Sequence, residues 1–270
     1  MRGIIFGAAL AAFGGFVSQD ASALSGYRLL QLEGHYVKWG SPRLGTAATV
    51  SYAVVDRSMS FPEARNCGAM VSTDGLLSAS AISRSAFGAE VRAAFAIWER
   101  VANIRFRPAN DPLRADILIG AQATPRGWAF TNVAFEQNSG GGSTQSISKA
   151  LICLNPEKRW KIGFDGNIDV YDLRYTLMHE IGHAIGLDHP GPSEQVMSFK
   201  YLEQFRSLQI GDASGAGALY GNSGSPTFAT ARDAADPVNG GKPVPTSAEP
   251  QLSLGQDDEP SQTPRPARLK

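Results

Sequence analysis

The sequence predicts an α/β (α+β) fold, a mostly parallel sheet layered with two long helices. Three observations predict it. Short runs rich in β-branched and aromatic residues recur through the middle of the 270-residue chain. Two longer segments carry a helical apolar period. The elements follow in the order strand, helix, strands, helix, which suits an α/β layer.

The first strand is TVSYAVV at 49–55. A helix follows at 83–102, where Phe87, Val91, Phe95, Trp98 and Val101 form one apolar stripe that should lie on a sheet. Strands are predicted at 104–106, 115–119 (ADILI), 127–133 (GWAFTNV) and 149–154 (KALICL), with a flexible loop, SGGGST, at 139–144. The second long helix follows FDGNIDVYD, with Asp169 as its expected N-cap and Asp172 as a capping-box partner. It should end near Gly186, since glycine readily takes the left-handed conformation past a helix end.

Both ends stand apart from this domain. Residues 1–23 have the layout of a secretory signal: Arg2, an apolar run from Ile4 to Val17, then Ala21-Ser22-Ala23. No cysteine follows the run, so no lipid anchor is expected. Residues 222–270 are rich in Pro, Gly, Ser and Asp, with too little apolar surface to offset ordering entropy, and read as a disordered tail. The domain is therefore placed at 24–221. Lys+Arg and Asp+Glu are both 25, and the zero net charge gives no reason to expect nucleic acid or a stable membrane contact after signal cleavage. A secreted or periplasmic monomer is expected. In such a compartment Cys67 and Cys153 are expected to pair, the alternative being two buried thiols.

Three of the four histidines lie in HEIGHAIGLDHP, residues 179–190. His179 and His183 are four apart on the helix, so both imidazoles face one side and can meet one metal ion. A straight helix cannot supply a third ligand from another direction. The turn at Gly186 can, through His189. Three neutral nitrogens leave the fourth zinc position open, the mark of a catalytic site. Glu180, directly after His179, is placed as a base rather than a ligand. A bare His-Glu-x-x-His recurs by chance; the full spacing with its glycine is far more specific.

HEIGHAIGLDH matches the metzincin pattern HExxHxxGxxH at every fixed position, and Met197 in SEQVMSFKY stands where that family has its methionine turn. Within metzincins the chain resembles the matrixins, the catalytic domains of matrix metalloproteinases. Met197 and Tyr201 keep the Met-Tyr-Pro-x-Tyr spacing, although Ser198 and Phe199 replace its Tyr and Pro; LQIGDASGAGALYG resembles the closing helix; and KW at 38–39, VSYAV, AFAIWERV and ADILI follow matrixin order. His189-Pro190-Gly191 and Met197-Ser198 are similar to serralysins, whose C-terminal calcium repeats this chain lacks.

The resemblance implies a twisted five-stranded sheet with one antiparallel edge strand, two long helices, and a short C-terminal subdomain with methionine turn and closing helix. It implies a secreted zinc endopeptidase that cleaves extended polypeptides, with one catalytic Zn2+ on His179, His183 and His189. A zinc-binding but inactive binding module is the alternative. It also implies a peptide laid along the edge strand, with Trp128, Ala129, Phe130 and Tyr201 as substrate-binding candidates. Phe205 and Leu208 either wall the adjoining pocket or belong to the core. The departures are informative. With only His35 outside the window, a second, structural zinc cannot be built. The family's aspartate-rich calcium loops are replaced by NSGGGSTQS, which leaves Ca2+ without clear ligands apart from a weak set at Asp165, Asn167 and Asp169. No inhibitory propeptide is expected, because too few residues separate Ala23 from the first strand. RNCG at 65–68 resembles the inhibitory cysteine motif only superficially, since it follows that strand.

Overall fold

The computed structural model describes residues 26–137, 142–191 and 193–224. The expected signal segment, residues 139–141 of the expected flexible loop and the tail beyond Gly224 lie outside them. The chain opens with three short strands, β1 (Arg28–Leu29), β2 (Gln31–Leu32) and β3 (His35–Lys38). β4 (Ala48–Val54), the hairpin β5 (Met59–Ser60) and β6 (Ala69–Val71), and helices α1 (Asp74–Ala79) and α2 (Arg84–Val101) follow. The centre of the chain supplies β7 (Ile104–Pro108), β8 (Ile117–Gln122), β9 (Ala129–Glu136) and β10 (Thr144–Leu154). Last come β11 (Trp160–Lys161), β12 (Tyr171–Asp172), α3 (Leu173–Ala184), β13 (Leu187–Asp188) and α4 (Ile210–Tyr220).

The five predicted strands form the body of a nine-stranded sheet, in spatial order β7, β4, β8, β10, β9. Pairings β4–β7, β4–β8 and β8–β10 are parallel, and β9 runs antiparallel at the edge. The expected edge strand is thus present, shifted two residues along. Other bounds also differ from expectation. β10 starts at Thr144 because residues 144–146 pair with β3 before residues 150–154 reach β8. β8 starts at Ile117, since Asp116 turns its carboxylate onto Ser51 N–H (2.7 Å). β7 extends to Pro108 opposite Tyr52.

α2 is capped by Ser83, whose Oγ accepts from Ala86 N–H (3.1 Å). Its apolar stripe faces β4 and β7, where Phe95 stacks on Tyr52 (4.1 Å) and meets Phe106 (4.5 Å). α3 is buried nearly all round, as expected of a central helix. Its N-cap is Asp172 rather than Asp169. The Asp172 carboxylate accepts from Tyr175 N–H (2.8 Å) and Gly163 N–H (2.6 Å) and receives the Arg206 guanidinium, whereas Asp169 lies in the preceding turn.

The C-terminal end of α3 is closed by side chains and strands from distant parts of the chain. Trp39 Nε1 donates to Ala184 O (2.8 Å), Tyr220 Oη to Ile185 O (2.7 Å) and Leu30 N–H to Gly186 O (2.8 Å). These are the carbonyls a helix end leaves unpaired. Gly186 has φ +104°, and a Cβ there would lie 2.1 Å from Val37 O, so both conformation and space require glycine. The opposite face of the sheet carries a smaller core of Val55, Met70, Leu118, Leu151 and the bonded pair Cys67–Cys153, which closes an 86-position loop.

Candidate active site

α3 brings His179 and His183 to one face, and the turn through Gly186 returns His189 on β13's far side. The three Nε2 atoms form a near-equilateral triangle: 3.1 Å for 179–183, 3.0 Å for 179–189 and 3.2 Å for 183–189. His179 Nδ1 donates to Val196 O (2.7 Å) and His183 Nδ1 to Leu187 O (2.8 Å). Because a carbonyl accepts only from a protonated nitrogen, both Nε2 atoms present bare lone pairs. Lone pairs turned on each other at 3.1 Å repel, unless a cation lies between them. Ligand atoms of a tetrahedral zinc at about 2.0–2.1 Å lie about 3.3–3.4 Å apart, so the triangle fits that ion. Among the described residues it is the only cluster of three metal-binding side chains. Burial holds His179 and His189 neutral, with pKa values pushed down to about 3 and about 2.

Glu180 is 4% exposed, and burial raises its pKa, opposed by His183 and by a hydrogen bond from Thr131. Thr131 Oγ1 lies 2.6 Å from Glu180 Oε2 and 3.0 Å from the Glu180 carbonyl. The hydroxyl comes from the edge strand β9. Sequence reasoning did not find Thr131, because nothing local marks it.

A cleft of about 490 Å³ runs between β9 and the chain's first strands, over the histidines. Of the substrate-binding candidates, Ala129 and Phe130 line it. Trp128 and Tyr201 sandwich Tyr171 instead, at 3.8 and 4.1 Å, forming an aromatic stack ahead of α3. Tyr201 Oη accepts from Asp172 N–H (2.8 Å), which ties the downstream segment to the cap of α3. Arg206 reinforces the tie by bridging Asp172 (3.0 Å) and Glu90 (3.1 Å). Phe205 and Leu208 are half-buried against the core. Phe199 meets His189 edge-on at 5.8 Å.

Met197 is buried, with its sulfur against the backbone of Gly182, between the two helical histidines. Asp212 holds the segment by accepting from Val196 N–H and Met197 N–H, both at 3.0 Å. The same Val196 carries the carbonyl that fixes His179. Asp165, Asn167 and Asp169 do not converge on an open cation site: the Lys161 ammonium reaches Asp165, the Asn167 carbonyl (2.6 Å) and Glu203 (2.5 Å).

The family model described as Matrixin matches residues 76–221, more than half of the chain. The chain is similar to a hatching enzyme of Paracentrotus lividus, 29% identical over 150 residues, covering 53% of this chain and 24% of that protein. It is similar to metalloendoproteinase 4-MMP of Arabidopsis thaliana, 29% identical over 142 residues, covering 51% of this chain and 40% of that protein. It is also similar to stromelysin-3 of Xenopus laevis, 30% identical over 139 residues, covering 50% of this chain and 28% of that protein. The chain thus spans between a quarter and two-fifths of the length of these relatives.

Proposed function

The chain belongs to the matrixin family, and from that premise we propose that it is a secreted zinc endopeptidase that hydrolyses internal bonds of extended polypeptides. The observation that carries the reading is the triangle of Nε2 atoms at 3.0–3.2 Å with Glu180 buried beside it. His179, His183 and His189 would hold the zinc. When bound, the ion supplies Lewis acidity, polarising a carbonyl and making water acidic enough to attack near neutral pH.

The remaining work belongs to the chain. The free edge of β9 offers backbone N–H and C=O groups to an extended peptide, a mode of recognition that is largely indifferent to sequence. Ala129 and Phe130 line the cleft where such a peptide would lie. The Thr131 hydroxyl holds Oε2 of Glu180, which leaves Oε1 free to face the attacking water. Glu180 takes a proton from that water and returns it to the leaving amine nitrogen. The water oxygen bonds to the carbonyl carbon as the C–N bond breaks, and the second proton of the water also ends on the amine, so that a carboxylate and an ammonium group are released. Burial raises the proton affinity of Glu180, which suits this double duty.

Export is part of the proposal. Residues 1–23 would be the signal and 222–270 the tail; the Cys67–Cys153 bond agrees with an oxidising compartment. Among the described residues no helix is long and apolar enough to cross a membrane.

The test is casein hydrolysis by the purified protein and by Glu180→Ala, with zinc content measured for both. The expected result is one zinc in each, hydrolysis by the wild type, its loss on chelation with recovery on adding zinc, and at least a thousandfold lower rate in the variant. A folded, zinc-loaded wild type without activity would point to a binding module instead.

A further inference from the structure

The cleft over the histidines has three charged residues in its lining: Arg65, Glu180 and Asp188. Two of them are committed. Asp188 pairs with Arg28 at 3.2 Å and accepts from His189 N–H at 2.8 Å. Glu180 is held by Thr131. Arg65 is exposed at the rim, and among the described residues its guanidinium has neither an ion pair nor a hydrogen-bond partner.

Its backbone, in contrast, is firmly fixed. Asn66 N–H and Cys67 N–H both donate to Asn132 Oδ1, at 3.0 and 2.8 Å. The Cys67 side chain, two residues on from Arg65, is bonded to Cys153 on β10. The loop is closed on itself by Phe61 N–H to Gly68 O (2.7 Å) and Ala64 N–H to Phe61 O (2.9 Å). A long, free cation is therefore carried on a loop that cannot swing away from the edge strand. The anchor, Asn132, is the neighbour of Thr131, which touches Glu180. Successive residues of a strand advance by about 3.3 Å, so an arginine side chain starting there reaches substrate positions within two or three residues of the cleaved bond. The opposite wall is apolar, with Leu30 and Leu32.

We propose that Arg65 is a specificity-determining residue that favours peptides with an aspartate or glutamate within three residues of the cleaved bond. The proposal rests on the endopeptidase reading and gives it a substrate class. A guanidinium meets a carboxylate with two parallel N–H donors, which lysine cannot do. Because the rim is open to water, the preference is moderate, about two- to fivefold.

The experiment takes a peptide built on a bond cleaved in casein and places Glu, Gln or Lys at each of the three positions on either side of it. kcat/KM is measured for the wild type, Arg65→Gln and Arg65→Glu. The ratio between peptides is the readout, so the amount of folded enzyme cancels. The wild type should prefer Glu over Gln by about two- to fivefold at one or more of these positions. The ratio should fall to about one in Arg65→Gln, turn towards Lys in Arg65→Glu, and shrink in the wild type at high salt. A flat wild-type profile, or a preference that Arg65→Gln leaves intact, overturns the inference alone. Failure of the zinc-loaded wild type to cleave any peptide overturns the endopeptidase reading and this inference with it.

Discussion

Thr131 and Glu180 show how much of the site depends on a single contact. A carboxylate in a buried setting needs one oxygen steadied if the other is to meet water in a fixed direction, and the 2.6 Å hydrogen bond from Thr131 does this. Hydrogen bonds to charged groups contribute about 1.5–3 kcal/mol. If that stabilisation serves the transition state, Thr131→Val should lower kcat by about ten- to a hundredfold with little change in KM or zinc content. Thr131→Ser keeps the hydroxyl and should keep most of the rate. Steady-state kinetics of the two variants beside zinc analysis checks this; equal rates in valine and serine variants would remove the hydroxyl from the mechanism.

At the scale of elements, α3 is the wedge on which the site is built, and Gly182 is its tightest point. A Cβ at Gly182 would lie 2.1 Å from Met197 Sδ and 3.0 Å from Trp98 Cζ2. Ordinary contacts between such atoms are about 3.5–4.0 Å. Alanine gains about 1 kcal/mol of helix propensity over glycine. Overpacking a filled core costs about 1–3 kcal/mol or more, and here two large side chains must move, so the clash wins. Gly182→Ala should lower the melting temperature and weaken zinc binding, measured by thermal unfolding with and without chelator. The histidine window was readable from the sequence because its geometry is local, an i,i+4 pair and one glycine turn. The choice of cap was not. Asp169 and Asp172 both fit a capping pattern, and what decides for Asp172 is its buried contacts with Gly163 and Arg206, which lie outside the local pattern. Thr131 lies 49 positions from Glu180 and meets it only because β9 pairs with β10 in one register. The extra strands β2, β3, β5 and β6 span two to four residues each, too short to carry a period of two.

For the whole molecule, the sheet separates two cores, and the Cys67–Cys153 bond fastens the smaller one. Closing an 86-position loop removes chain entropy from the unfolded state, equivalent to about 4–5 kcal/mol in that picture. A double Cys67→Ser, Cys153→Ser variant should therefore unfold at lower urea concentration, and reduced wild type should behave like it. An unchanged midpoint on reduction would mean that the cysteines are not paired in solution. The pairing was readable from cysteine count and the expected export. Its neighbour contact, Asn132 to the Cys67 backbone across 65 positions, was not, because an asparagine on an exposed strand has no local signature.

Lys161 has a wider consequence. Its ammonium fills the acidic turn formed by Asp165, Asn167 and Glu203, so the turn carries its own counter-ion on a covalent tether. A tethered charge does not dissociate when the medium is diluted or sequestered. That turn can then hold its shape through swings in dissolved mineral content, and among the described residues the histidine triangle remains the one cluster of three side chains suited to taking up a metal ion from the surroundings.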